Sequence, residues 1–271
     1  MSQMTVENKD SAARFLDLTA DYLAGGYRRN REDRAGSPPP AEPAPGEGTN
    51  TAPPSPIAPA AGGDSLESVA ADVARCERCG LCGGRTNTVP GEGVPRPLVM
   101  VIGEGPGADE DATGRPFVGR AGQLLDRMLD SRGRIGLSRN VNCYIANVVK
   151  CRPPGNRNPQ PDEIAACVPF LIRQIKLLHP RIILAAGNTA AKTLLESTEG
   201  ITRLRGRFAE FTGTSLTRGE FSIPLLPTFH PSALLRDESL KAPVWEDLKQ
   251  LRAKLAALDE DYAALAAGRP L

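Results

Sequence analysis

Three groups of residues in this chain have types and spacings suited to chemistry. The first is a turn rich in glycine and carboxylates, Gly103-Glu104-Gly105-Pro106-Gly107-Ala108-Asp109-Glu110-Asp111, which follows the apolar run 98–102. Glycine permits backbone angles that other residues avoid and lets a ligand approach the main chain closely. The turn lacks a Gly-Lys-Ser/Thr ending, so it is no phosphate cradle, and its glycines do not fit the dinucleotide fingerprint. Its three consecutive acids would repel a phosphate. The second group is scattered. Asn147 interrupts the apolar run 143–149, and its amide offers a donor–acceptor pair that matches the amide or imide edge of a base. Phe117, in a polar loop flanked by glycines, could stack on a flat ring. His230, one of only two histidines, lies just past the apolar run 223–228. The third group is six cysteines: Cys76, Cys79, Cys82, Cys143, Cys151 and Cys167. In an intracellular protein a Cys-x-x-Cys pair points to metal or redox chemistry. Zinc ribbons bring their second pair close behind the first; here the others arrive singly and far downstream. Thiolates from distant segments suit an iron–sulfur cluster as well as zinc.

These residues need elements to hold them. Four apolar runs rich in β-branched residues, at 98–102, 143–149, 181–186 and 223–228, read as buried strands. Between them lie helical patterns at 123–129, 161–178 and 190–196, with another at 245–258 closing the body. Residues 201–222 alternate like a hairpin around Gly213. Strands alternating with helices predict an α/β fold: three αβα layers around a central four-stranded parallel sheet. The glycine-rich turn, Asn147 and His230 would all leave the carboxyl edge of that sheet, where open α/β sheets bind ligands. His179 falls at the opposite edge and reads as structural.

Composition bounds the function. A hydrophobic content of 40% supports a core, and the formal net charge is only +1. That balance hides an asymmetry: residues 75–258 carry about 26 Lys and Arg against about 18 Asp and Glu. A basic body with an acidic extension suits an anionic partner such as nucleic acid. No run is long and apolar enough to span a membrane and no signal peptide is recognisable, so the expected compartment is the cytoplasm. The expected organisation is a helical extension at 1–34, a disordered linker rich in Pro, Ala and Gly at 35–64, the body at 65–258 and a tail at 259–271.

The chain resembles the family 4 uracil-DNA glycosylases, which carry a [4Fe–4S] cluster. The motifs are Gly-Glu-x-Pro-Gly-x-x-Glu-Asp at 103–111, Gly-Arg-Pro-Phe-Val-Gly at 114–119, Asn-x-x-Lys-Cys-Arg-Pro-Pro at 147–154 and His-Pro-Ser-Ala-Leu-Leu-Arg at 230–236. The family's ligand spacing selects Cys76, Cys79, Cys151 and Cys167 as cluster ligands and leaves Cys82 and Cys143 as structural. The resemblance covers roughly 70–255 and implies the uracil-DNA glycosylase fold. It implies that Phe117 stacks on an extruded uracil, that Asn147 pairs with its edge, and that the backbone at Glu104 and Gly105 helps hold the base. It also implies that His230 stabilises charge on the departing base, with Glu110 and Asn156 positioning water or supporting the sugar. Leu234, Leu235 and Arg236 would wedge into DNA, and Lys150, Arg152 and Arg157 would contact phosphates. The implied partner is uracil-containing DNA, single- or double-stranded, acted on by a nucleoid-associated monomer. The N-terminal helix could reach a repair or replication protein. Two alternatives stay open: a relative that captures its DNA product covalently, and a non-enzymatic iron–sulfur module. The capturing branch uses a histidine in an extra basic loop, and this chain has asparagines after Lys150-Cys151-Arg152-Pro153.

Overall fold

A computed structural model describes residues 64–130, 135–214, 217 and 219–268. The expected N-terminal helix and linker lie outside the described residues. The first element, helix α1 (Leu66–Ala74), starts at Ser65 through a reciprocal cap. Ser65 Oγ accepts from the Ser68 amide at 3.1 Å, and Ser68 Oγ accepts from the Ser65 amide at 3.0 Å. Its apolar stripe, Val69 and Val73, is fully buried and packs toward α4 (Pro161–Leu178). Arg173 of α4 fastens the join, donating to Asp64 at 2.6 and 2.9 Å and to Asp72 at 2.8 Å.

The sheet has six strands: β1 (Glu92–Gly93), β2 (Val99–Gly103), β3 (Cys143–Asn147), β4 (Ile182–Ala186), β5 (Ala209–Phe211) and β6 (Ile223–Thr228), in the order β1-β3-β2-β4-β6-β5. The four expected strands form its parallel centre. Every residue of β2, β3 and β4 is buried, which is why their sequences run apolar without alternation. The structure adds two antiparallel edges, β1 on β3 and β5 on β6. Strands of two and three residues are too short to leave a periodic signal. Of the hairpin expected over 201–222, the first part is instead a helical turn, α6 (Ile201–Leu204), and only β5 pairs with β6.

Helices α2 (Ala108–Thr113) and α3 (Arg120–Asp130) carry the chain from β2 to β3 on one side. Helix α5 (Asn188–Leu195) and α6 lead from β4 toward β6 on the other. The crossovers diverge between β2 and β4, and such a switch point leaves a crevice at the carboxyl ends of the strands. Helix α7 (Pro231–Arg236) follows β6 and packs on α3.

The tail expected after 258 is a correction. Helix α8 (Lys241–Leu258) is followed by α9 (Glu260–Ala267), which folds back onto it. Asp259 caps α9 by accepting from the Tyr262 amide at 2.8 Å, and the buried Tyr262 donates its hydroxyl to the Ile135 carbonyl. An eight-residue helix rich in alanine has too weak a stripe to be distinguished from a solvated tail. Tyr262→Ala is expected to cost about 3 kcal/mol, read as a lower urea midpoint; a dispensable tail would leave the midpoint unchanged.

Candidate active site and cysteine cavity

The crevice at the switch point is a cleft of about 560 Å³. Its lining includes Glu104, Gly105, Glu110, Phe117, Asn147, Asn156, Arg157, His230 and Arg236. Nine of the expected site residues thus meet in one place, delivered by the loops after β2, β3 and β6.

Asn147 ends β3 beside Gly103 in the parallel ladder. It is buried, and its Oδ1 has no hydrogen-bond partner among the described residues. A buried acceptor left unpaired costs about 1–3 kcal/mol, and this one sits on the wall of a polar cleft. Gly103 creates the space for it: a Cβ there would stand 2.5 Å from Asn147 Oδ1 and 2.5 Å from the Phe117 ring. The aromatic lies beside the amide, buried, with its ring centroid 5.5 Å from that of His230.

Phe117 holds a left-handed backbone (φ 53°), which costs an L-residue roughly 1–2 kcal/mol. Two clamps keep it there. Arg139 donates to the Pro116 carbonyl at 2.9 Å and the Phe117 carbonyl at 3.0 Å while Asp126 grips the same guanidinium at 2.8–3.1 Å. Glu110 grips the other side: its Oε1 accepts from the amides of Val118 and Gly119, both at 2.9 Å, and its Oε2 accepts from Gly107 at 3.1 Å. Glu110 therefore shapes the two loops around the aromatic. Arg139 and Asp126 carry no signal in the sequence, because they lie outside the four motifs and meet across 13 residues.

His230 caps α7. Its Nδ1 accepts from the Ser232 amide at 3.1 Å and lies 2.8 Å from Ser232 Oγ. An Nδ1 that accepts leaves the proton on Nε2. Burial, with Arg236 nearby, pushes the imidazolium down to about 4, so the ring is a neutral donor at physiological pH. Gly187, at φ +100°, brings the loop after β4 against it; a Cβ there would meet His230 Cβ at 2.9 Å. Glu104 accepts a short hydrogen bond from Thr189 Oγ1 on α5, another partner the sequence did not reveal.

Four expected contacts need correction or refinement. Lys150 does not reach the surface: it is buried, its Nζ donates to the Asn147 carbonyl at 2.9 Å and to Gln174 Oε1 at 2.6 Å, and burial lowers its ammonium to about 8. Leu234 is fully buried, because the α7 periodicity turns it inward, and it does not stand at the surface as a wedge would. Leu235 is half-buried, and Arg236 is exposed at the cleft. Arg152 is turned toward its own loop and donates to Asn156 Oδ1 at 2.7 Å. Arg157 stays at the rim although it pairs with Glu163 at 2.6 and 2.8 Å.

A second, smaller cavity is lined by Cys76, Cys79, Cys82, Cys151 and Cys167. Cys82, expected to be apart from the ligand set, shares this wall, whereas Cys143 lies buried in β3. Burial pushes the Cys79 and Cys151 thiols up and that of Cys167 up to about 12. Facing thiolates need positive charge to coexist there. Donors already point at the sulfurs: Arg85 reaches Cys151 Sγ at 3.3 Å and the Lys150 amide reaches Cys167 Sγ at 3.2 Å. Among the described residues no three His, Cys, Asp or Glu side chains are grouped to hold a single metal ion. Thiols drawn from separate segments around one cavity suit an iron–sulfur group as well as zinc.

The fold and cleft define a class. The Uracil DNA glycosylase superfamily model matches residues 90–249, from β1 into α8. Among curated relatives, the type-4 uracil-DNA glycosylase of Sulfurisphaera tokodaii is 43% identical over 73% of this chain and 88% of its own length. That of Thermotoga maritima is 43% identical over 69% of this chain and 93% of its own, and that of Pyrobaculum aerophilum 44% over 65% and 87%. The chain belongs to the type-4 uracil-DNA glycosylase family.

The state of His230 is open to direct test. Its native-state value lies below the ordinary 6.5, so between about pH 4 and 6.5 the unfolded chain binds the extra proton and stability rises with pH. An NMR titration of the imidazole is expected to stay flat from pH 8 to 5 and to turn near 4. A midpoint near 6.5 would contradict a neutral, desolvated ring.

Proposed function

We propose that this chain is a monofunctional uracil-DNA glycosylase that extrudes uracil from DNA and hydrolyses its N-glycosidic bond, initiating base excision repair. The observation that carries the reading is the unpaired, buried Asn147 Oδ1 beside Phe117 and His230. Uracil N3–H would donate to that oxygen while the Asn147 amide donates to O4. Cytosine has no N3–H and presents an amino group in place of O4, so it would leave the amide unsatisfied. Phe117 supplies the stacking surface, and the backbone at Glu104 and Gly105 closes the pocket edge. As the bond breaks, negative charge gathers on uracil O2. His230 Nε2–H would meet it as a hydrogen-bond donor, without having to begin charged. Glu110 keeps an unused lone pair on Oε2, whereas Oε1 already accepts from two amides, and Asn156 lies at the mouth. These two are the groups assigned to water and to the cationic sugar. Arg157, Leu235 and Arg236 would make up the contact surface for DNA outside the pocket.

Cys76, Cys79, Cys151 and Cys167 would hold a [4Fe–4S] cluster, with Cys82 beside them. When bound, the cluster supplies a covalent staple between the segment after α1, the Pro153-Pro154 loop and α4.

A single-turnover assay on a uracil-containing oligonucleotide, followed by alkaline cleavage, tests the activity. Wild type is expected to yield scission at the uracil, with Asn147→Ala and His230→Ala each slower by about a hundredfold to a thousandfold. A shifted band that survives denaturation would instead mean covalent capture. No product from cluster-loaded wild type would overturn the enzymatic reading.

A further inference from the structure

Among the buried cations that the mechanism leaves unused, Lys150 lies between the two cavities. Lys150 is 1% exposed, and such a residue is retained in an interior only where its ammonium is well partnered. Its backbone belongs to the cysteine cavity: the amide donates to Cys167 Sγ at 3.2 Å, the next residue is Cys151, and Lys150 itself lines the cavity wall. Its side chain leaves that wall and turns back three residues. The ammonium donates to the Asn147 carbonyl at 2.9 Å and to Gln174 Oε1 at 2.6 Å. Gln174 is itself held, donating to the Pro90 carbonyl at 2.8 Å and to the Tyr144 hydroxyl at 3.4 Å. A strut therefore runs from the sulfur-lined wall through one side chain to the peptide of the residue that presents the unpaired Oδ1.

We infer that Lys150 is a positioning residue through which the wall of the cysteine cavity fixes the Asn147 amide in the base pocket. This rests on the reading of Asn147 as the uracil-recognising group. The peptide plane of Asn147 sets the direction of its Cα–Cβ bond. A tilt of that plane would move Oδ1 within a space already bounded by Gly103 and Phe117. Charge-assisted hydrogen bonds from an ammonium hold such a plane more firmly than neutral ones. The cysteine cavity thus bears on base selection and not only on the fold.

Lys150→Met keeps the chain length and removes the ammonium. The test compares it with wild type, both loaded with iron as verified by iron content and visible absorption. Free uracil is the probe of the pocket, and a duplex with a tetrahydrofuran abasic analogue is the probe of the DNA surface. The inference expects inhibition by free uracil to weaken about tenfold to a hundredfold. The single-turnover rate on uracil should fall by a similar factor, with iron content and abasic-duplex affinity unchanged. Wild-type inhibition by uracil in loaded Lys150→Met would overturn it. So would loss of iron with uracil affinity retained, which would assign Lys150 to the cavity alone. Should Lys150→Met not fold, Gln174→Met decides: weaker uracil inhibition supports the strut, and unchanged inhibition rejects it. Wild type that is inert on uracil DNA would sink the functional reading, whereas the inference fails only against an active wild type.

Discussion

The structure depends on holding one polar edge in place beside the cleft, without a protein partner among the described residues. Asn147 Oδ1 is that edge. Its cost is tolerable only because the surrounding elements leave it no alternative partner: Gly103 removes side-chain bulk beneath it, and Phe117 covers its flank. The strain at Phe117 follows from the same demand. A left-handed phenylalanine is unfavourable by itself, and two charged groups on opposite sides, Arg139 and Glu110, hold it with five hydrogen bonds to backbone. Strain at a binding site persists where the surroundings over-determine it, as they do here.

His230 adds no positive charge to the pocket. His230 is neutral because it is desolvated, and its tautomer is fixed by a backbone donor instead of a carboxylate. The arginines at the mouth, Arg157 and Arg236, remain outside. The cleft thus joins an aromatic face, hydrogen-bonding groups and two carboxylates to arginines at its rim. This combination suits a flat neutral heterocycle attached to a polyanion. The second cavity is built differently: its wall is lined by thiols that burial keeps protonated, and two donors, the Arg85 guanidinium and the Lys150 amide, already point at sulfur.

Much of this could be read in the sequence, for physical reasons. The four central strands are buried on both faces, so their apolar runs stood out, and topology alone brought the loops after β2, β3 and β6 to one edge. The two edge strands could not be read, because two or three residues carry no period. Lys150 and Leu234 were misplaced because both sit in motifs whose neighbours do face the cleft, and side-chain direction within a motif depends on local backbone geometry. A lysine among arginines and prolines has the composition of a phosphate site whichever way it points. Arg139, Asp126 and Thr189 were invisible for a different reason: each acts across 13 or more residues on a partner's carbonyl or carboxylate, and single-sequence patterns report near neighbours only. The helix after Asp259 was lost because alanine makes helices without making stripes.

The pairing of Gly103 with Asn147 in the central ladder also has a consequence in time. Residues in the middle of a parallel sheet open only with the fold itself, whereas exposed rim side chains change rotamer in picoseconds to nanoseconds. The two halves of the cleft therefore run on separate clocks. The mouth can sample many backbone geometries of a passing strand before the floor has moved once. A base that does not match the amide meets a surface that cannot relax around it during the encounter, so misfit is resolved by departure, not by adaptation.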